Sequence, residues 1–137
     1  MKEEHYLGSY LEGILNMASS ISKSIGPSYV KVDCYKKDEF KEEFKKFYNI
    51  KEDIKLIETS NSLDTALLDW FYNEKELVDS ITYWFNIKLP GNKKVYLSEE
   101  KLINTLDKKR KDFYSLDDLF FVECRNYIFV FLLGNNE

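Results

Sequence analysis

Residues able to carry catalysis are few in this sequence, and their positions do not suggest a reaction. His5 is the only histidine, and it lies near a terminus that we expect to fray. Ser-His-Asp and Cys-His mechanisms require an imidazole held in a fixed position, so we expect neither. Glu58 and Glu123 fall in strand-like runs and offer a carboxylate pair for acid–base chemistry. Because acidic residues are common on strands, this pair does not by itself predict an enzyme.

Metal and phosphate sites are not indicated either. Zinc binding needs four Cys or His ligands, or three with a water, and His5, Cys34 and Cys124 are widely separated. The five glycines are dispersed, so the sequence has no glycine-rich phosphate loop. The basic run Lys108-Lys-Arg-Lys111 is able to contact phosphate, but a basic last turn also stabilises its own helix. We therefore predict no cofactor, no metal and no direct contact with nucleic acid.

The composition predicts an ordered chain that folds as a single globular domain over residues 1–137. The net charge is −4 and the pI is about 5.2, whereas nucleic-acid binders normally show a basic footprint. The first residues include acids, unlike the basic start of a signal peptide, and no apolar run approaches the roughly 20 residues of a membrane span. The two cysteines are predicted to be buried, reduced thiols, with a disulfide or redox pair as the alternative. We therefore expect a cytoplasmic protein without membrane contact.

The clearest structural signal is a pair of strands near the end of the sequence, at 119–124 and 127–133. Aromatic and β-branched residues fill both runs. Arg125-Asn126 fits a two-residue hairpin turn in which Asn126 supplies the positive φ. Both side-chain parities of the second strand are apolar, which predicts that it is covered on both faces. Gly134-Asn135-Asn136 is expected to end this strand.

Hydrophobic periodicity predicts the other elements. The expected helices cover 2–25, ended by Gly26-Pro27; 38–48, capped by Asp38; 63–86, broken in two near Asn73-Glu74; and 98 to about 111, capped by Ser98. The expected further strands cover 28–35, 53–58 and 94–97. Phe47 and Trp84 are assigned to apolar helix faces, and Gly8 and Gly13 weaken the first helix unless they permit a close backbone approach. The predicted fold class is α+β, an antiparallel sheet with the C-terminal hairpin in its interior, packed by about five helices.

Charge is unevenly distributed along the sequence. Residues 58–86 have a net charge of −5 and contain both tryptophans, whereas residues 87–112 have a net charge of +4. Acids beside Trp and Tyr are typical of a surface that binds a basic protein, because aromatics anchor and carboxylates steer the encounter. The alternative is that the tryptophans lie in the core and the acids form an ordinary solvated face. The predicted partner-binding residues are Asp64, Asp69, Tyr72, Glu74, Glu76 and Asp79.

In size, acidity, Tyr and Phe content and lack of catalytic motifs, the chain resembles immunity proteins of bacterial polymorphic and contact-dependent toxin systems. No aligned stretch carries this resemblance, no residue is transferred by it, and the basic segment 87–112 departs from a uniformly acidic inhibitor. The resemblance implies a small cytoplasmic inhibitor that neutralises a basic toxin domain, often a nuclease, by occluding it. The alternatives are an adaptor or phage-encoded inhibitor of another system, or a small enzyme using carboxylates or Tyr. The expected oligomeric state is monomer or homodimer.

Overall fold

The computed structural model describes residues 2–25, 28–109 and 115–135. The described residues form five helices and five strands, and they confirm the α+β class with an antiparallel sheet. In chain order the elements are α1 (Glu3–Ile21), β1 (Ser28–Lys36), α2 (Phe40–Tyr48), β2 (Leu56–Glu58), α3 (Leu63–Trp70), α4 (Lys75–Lys88), β3 (Lys93–Ser98), α5 (Glu100–Lys109), β4 (Ser115–Cys124) and β5 (Tyr127–Asn135).

The C-terminal hairpin lies inside the sheet, as predicted. The strand order is β1-β5-β4-β3-β2, and every neighbouring pair is antiparallel. β5 therefore has β1 on one side and β4 on the other. Phe129 in β5 is buried and packs in the core. The strand with the longest apolar run thus occupies the position that needs apolar side chains on both faces.

Helices cover both faces of the sheet. Alternate β5 residues Phe129, Phe131 and Leu133 share a core cluster with residues of α1, α3 and α4, which we call the α1–α3–α4 layer. Ile128, Val130 and Leu132 pack in a second cluster with Phe40 and Phe44 of α2 and Leu106 of α5, the α2–α5 layer. Because strand side chains alternate between faces, the double apolar parity of β5 supplies both cores.

Three predicted details of the hairpin are wrong. Arg125, not Asn126, has the positive φ, at 57°. β5 does not end at Gly134, because this residue pairs with Tyr29 of β1 and Leu116 of β4, and the ladder continues to Asn135. β4 begins four residues earlier than expected, with an irregularity in its register between Leu116 and Asp118. Pairing with strands on both sides extends the sheet beyond what local propensity predicts.

The predicted helix caps at Asp38 and Ser98 are also wrong. Glu39 precedes α2 at the N-cap position and makes no side-chain cap hydrogen bond. Ser98 belongs to β3, where it pairs with Leu56. Pairing in the sheet therefore removes Ser98 from the start of α5.

Two other elements are shorter than predicted. α1 ends at Ile21 rather than residue 25, and β2 is confined to Leu56–Glu58. Phe47 is exposed rather than packed in the apolar face of α2, and the Lys31 ammonium lies 5.1 Å from its ring centroid. The predicted stop at Gly26-Pro27 and the end of the basic run, residues 110–111, lie outside the described residues.

Cys34 and Cys124 are free and buried, which confirms the prediction of two buried thiols. Both belong to the core cluster beneath the α1–α3–α4 layer. Within the described parts of the chain, no helix combines the length and apolar character that crossing a membrane requires.

Candidate partner-binding surface

The connection between α3 and α4 exposes an aromatic ring. Tyr72 and Asn73 both have positive φ, at 50° and 63°, and two such residues in succession cannot continue an α-helix. The predicted break is therefore confirmed. Phe71 is completely buried on one side of this turn, while Tyr72 is 67% exposed. The buried Phe71 fixes the turn to the core and leaves the Tyr72 ring in solvent.

The two acids of α3 do not form one cluster. Asp64 and Asp69 are both exposed, and five residues along a helix place them about 140° apart around its axis. Asp69 lies near Asp118 of β4. Burial raises the pKa of Asp118 above its ordinary value, and the negative charge of Asp69 adds to the effect. The two α3 acids therefore lie on different parts of the surface.

Two acids of α4 do lie together with an aromatic residue. Glu76, Asp79 and Tyr83 are exposed and recur at a helical spacing of three and four residues. The Asp79 carboxylate accepts from the Lys75 ammonium at 3.1 Å, and both side chains are solvent-exposed. Such an exposed pair at i,i+4 is worth about 0.3–0.5 kcal/mol, so a partner can replace it at little cost.

Glu74 holds the helices together rather than facing solvent freely. Its carboxylate accepts hydrogen bonds from the Ser22 hydroxyl and, at 3.0 Å, from the Lys23 backbone N–H. These two hydrogen bonds, the one from Ser22 first, lower the pKa of Glu74 below its ordinary value. Glu74 therefore ties the C-terminal end of α1 to the start of α4.

Trp84 is only partly buried, contrary to its assignment to the apolar face of the helix. Val78, Ile81 and Phe85 point into the core, while Trp84 is 50% exposed and Tyr83 is 62% exposed. Their rings meet edge to face, with centroids 5.5 Å apart. Trp70 of α3 is half-buried against the core. The alternative that both tryptophans are core residues therefore fails for Trp84.

A groove between α1 and α4 was missed in the sequence. Its volume is about 660 Å³, and its wall on α1 includes Ile14, Met17 and Ile21. Leu77 and Trp84 contribute from α4. The sequence contains an indication of this groove, because apolar residues cover more of the circumference of α1 than contact with the sheet requires. Leu7, Leu11 and Leu15 already provide that contact.

The carboxylates considered for acid–base chemistry are engaged with cations. Glu123 accepts from the Lys37 ammonium at 2.5 Å and from the Tyr96 hydroxyl at 2.9 Å. The Lys37 ammonium is the main reason that the pKa of Glu123 is below its ordinary value. Glu58 lies 4.0 Å from the Lys94 ammonium. These contacts favour a structural role for both carboxylates, and the lowered pKa of Glu123 is opposite to what a general acid needs.

Comparisons with protein-family models, curated proteins and solved structures found no match to this chain. In the described ranges no three His, Cys, Asp or Glu side chains are grouped as metal ligands would be.

Proposed function

We propose that this protein is a stoichiometric inhibitor of the immunity type, which binds a basic protein partner and covers its active surface. The partner class that fits best is a toxin domain, such as a nuclease that itself binds a polyanion. The observation that carries the proposal is the exposed side of α4. There Glu76 and Asp79 lie beside Tyr83 and Trp84, two large aromatic rings that are at least half exposed.

Aromatic side chains of this kind act as anchors in protein interfaces. Tyr and Trp bury a large area at a small cost in side-chain entropy, and they dominate measured hot spots. Tyr72 in the α3–α4 connection adds a third exposed ring. A surface that exposes these rings loses the benefit of burying them in the free protein and recovers it on binding.

The charge of the molecule is concentrated in the same layer. Residues 3–25 and 63–88, which contain α1, α3 and α4, hold eight acids and three lysines, a net charge of −5. The rest of the chain has a net charge of +1, since the total is −4. An approaching basic protein is therefore attracted to one side of the sheet rather than to the whole surface.

Within this proposal the predicted residues have different roles. Asp64, Asp69, Glu76 and Asp79 steer the partner, and Tyr72 anchors it. Glu74 keeps α1 and α4 in place. A cytoplasmic location is part of the proposal. It is supported by two cysteines that are free and buried and not joined in a disulfide.

The test requires the partner, captured by pull-down from the native organism and then purified. Changing Glu76→Gln and Asp79→Asn together should slow association about tenfold at low salt and flatten its salt dependence, because steering weakens with charge. The matched control changes Glu42→Gln and Glu52→Gln. These acids are exposed on and beside α2 in the other helix layer, and the pair should leave association unchanged.

The anchor is tested through dissociation. Tyr72→Ala should raise the dissociation rate by the equivalent of about 2 kcal/mol if the ring is a hot spot. Inhibition should be complete at one molecule per partner molecule. An acidic partner, association that ignores salt and all four acids, or inhibition by a small fraction of an equivalent would contradict the proposal, and the last would indicate an enzyme.

A further inference from the structure

We infer that the groove between α1 and α4 binds an amphipathic helix of the basic partner, with the apolar face of that helix inside the groove. This inference rests on the proposed function for the existence of the partner and adds the form of the segment that the partner presents. The groove has a volume of about 660 Å³ and is lined by Tyr10, Ile14, Met17, Leu77, Ile81 and Trp84.

Contacts at both ends of the groove connect α1 to α4 and fix the spacing between them. At one end, the Tyr10 hydroxyl donates to the Trp84 carbonyl at 3.1 Å, and the Lys88 ammonium lies 5.6 Å from the Tyr10 ring centroid. At the other end, Ser22 and Lys23 donate to the Glu74 carboxylate. The helices are therefore antiparallel and tied at each end, so the groove between the ties is a built feature of the free protein.

Most side chains along this groove are apolar, and two of them on α1 are largely exposed. Met17 is 69% exposed and Ile21 is 64% exposed, and both line the groove on the α1 side. Single exposed apolar residues are ordinary, but a continuous apolar groove indicates a binding site. Its floor is formed by residues such as Ala18 and Ile81, which are buried against the core.

Gly13 lies on the α1 side of the groove. A Cβ atom built on Gly13 would meet nothing within 4 Å, so no neighbour in the described structure requires a glycine there. The residue nevertheless lies inside a helix, where glycine is destabilising. Gly8, in the same helix, has a structural reason, since its Cβ would lie 3.0 Å from the Val32 carbonyl oxygen. An open glycine on a groove wall leaves room for an atom of another molecule.

A third helix fits between two antiparallel helices. The groove follows α1 from Ser9 to Ile21, about 18 Å of helix, which corresponds to roughly twelve residues of a bound helix. Such a helix binds in a groove by inserting apolar side chains at spacings of three and four residues. The length of the groove and its two walls, formed by helices that run side by side, favour a bound helix over a single inserted side chain.

The charge around the groove selects a basic helix. Its walls belong to the layer with net charge −5, and Glu76 lies one residue before Leu77 in the groove wall. A helix with lysine or arginine along the edges of its apolar stripe would place those cations over the acids of α4. Electrostatic and apolar complementarity thus point to the same segment.

A synthetic peptide tests the groove without the natural partner. The probe is a Leu/Lys peptide of about 18 residues with leucines on one helical face, and the comparison peptide has the same composition in a shuffled order. Binding to the full chain is measured by calorimetry at about 0.15 M salt, with amide NMR shifts to locate the site. The patterned peptide should bind one to one, shift α1 and α4, and bind at least about tenfold tighter than the shuffled peptide.

Two variants and one control assign the binding to the groove. Met17→Glu and Gly13→Gln should each weaken the patterned peptide about tenfold or more. Met17→Glu adds a negative charge that by itself would attract the peptide, so a loss reports apolar packing. Ile87→Glu adds the same charge at an exposed apolar residue of α4 that does not line the groove, and should leave affinity within about twofold. Circular dichroism melts confirm that each variant is folded.

Several outcomes would overturn the inference. Equal binding of both peptides, or unchanged binding by Met17→Glu and Gly13→Gln, would remove the groove as a helix site. A dimer of the protein alone that Met17→Glu dissociates would assign the groove to a second copy. Saturable binding of lauric acid there, without peptide binding, would assign it to a small apolar ligand. If the natural partner still binds Met17→Glu normally but loses association with the α4 acid variants, the proposed function stands and this inference fails.

Discussion

Two glycines in α1 show how one residue type can have opposite structural meaning. Gly8 packs on the backbone of β1, where its missing Cβ would lie 3.0 Å from the Val32 oxygen. Gly13 faces open space in the groove. Both weaken the helix, but only Gly8 is required by an intramolecular contact.

Alanine at each of these positions should therefore change stability in opposite directions. Gly8→Ala should lower the free energy of unfolding by about 1–3 kcal/mol, because α1 must move away from β1. Gly13→Ala should raise it by about 0.5–1 kcal/mol through helix propensity. Urea melts of the two variants provide the comparison, and each serves as the control for the other. Equal effects would mean that α1 does not touch β1 at Gly8.

The ion pair and hydrogen bond at Glu123 make stability depend on pH at both extremes. The pKa of Glu123 is lowered, so its contribution is complete above its ordinary value of 4.5 and is lost as pH falls through the lower folded value. Burial, and then the Glu123 carboxylate, raise the pKa of Tyr96 from 10.0 to about 12. Its contribution is complete below pH 10 and is lost as pH rises toward 12.

Melts across pH can separate these two groups. Glu123→Gln should remove the part of the acid-side loss due to this carboxylate, and Tyr96→Phe should remove part of the alkaline loss. Both variants should be less stable than the unaltered protein at pH 7. An acid limb unchanged by Glu123→Gln would show that this carboxylate is not held by Lys37 in solution.

At the scale of elements, α1 protects the outer edge of β1. The Asn16 side chain accepts from the Val30 N–H at 2.9 Å and donates to the Val30 carbonyl at 2.8 Å. Glu12 accepts from the Val32 N–H at 2.8 Å. Four residues of helix rise about 6.0 Å and two residues of strand about 6.6 Å, so side chains one helical turn apart match alternate strand residues.

Removing this edge protection should destabilise the fold and promote self-association. Asn16→Ala leaves the N–H and carbonyl of Val30 without their side-chain partner, at an expected cost of about 1–3 kcal/mol. The exposed backbone edge can then pair with another chain. Asn104→Ala, at an exposed position of α5, controls for the gain in helix propensity and should stay within about 0.5 kcal/mol. Urea melts and sedimentation velocity measure the two effects, and equal behaviour of both variants would contradict this role.

At the scale of the whole molecule, the two helix layers differ in character. The α1–α3–α4 layer carries the net negative charge, the groove and the exposed rings of α4. The α2–α5 layer covers the second core, and the sequence segments outside α1, α3 and α4 sum to a net charge of +1. The sheet thus separates an acidic side that carries the apolar groove from a side of mixed charge.

Both thiols lie in the core under the α1–α3–α4 layer, so they should report global unfolding. Burial raises the pKa of Cys34 and of Cys124, which keeps both as poorly reactive thiols. In the native protein we expect slow modification by a thiol reagent, accelerating with urea as the unfolded fraction increases. Unfolded protein without reductant should react at both residues at once. Immediate reaction of the native protein would mean that the layer opens locally above Cys34.

Local sequence patterns were sufficient to predict the fold class and the interior position of β5 in the sheet. The double apolar parity of β5 requires cover on both faces, and the 63–86 segment contains a break near Asn73 that the structure places at Tyr72 and Asn73. Both features depend on residues close in sequence, whose periodicity records burial directly. The six residues predicted to bind a partner were chosen from local charge and, for Tyr72, aromatic character. They remain a prediction, and Glu74 is engaged with α1.

Long-range docking determined the features that the sequence left open. A helix with a wide apolar face is covered only where distant elements pack against it. Trp84 is therefore half exposed, and Met17 and Ile21 line a groove. Ser98 joined β3 instead of capping α5, and Gly134 continued β5, because partner strands offered backbone hydrogen bonds. Propensity describes a residue alone, whereas burial and pairing are properties of two segments that meet only in the folded chain.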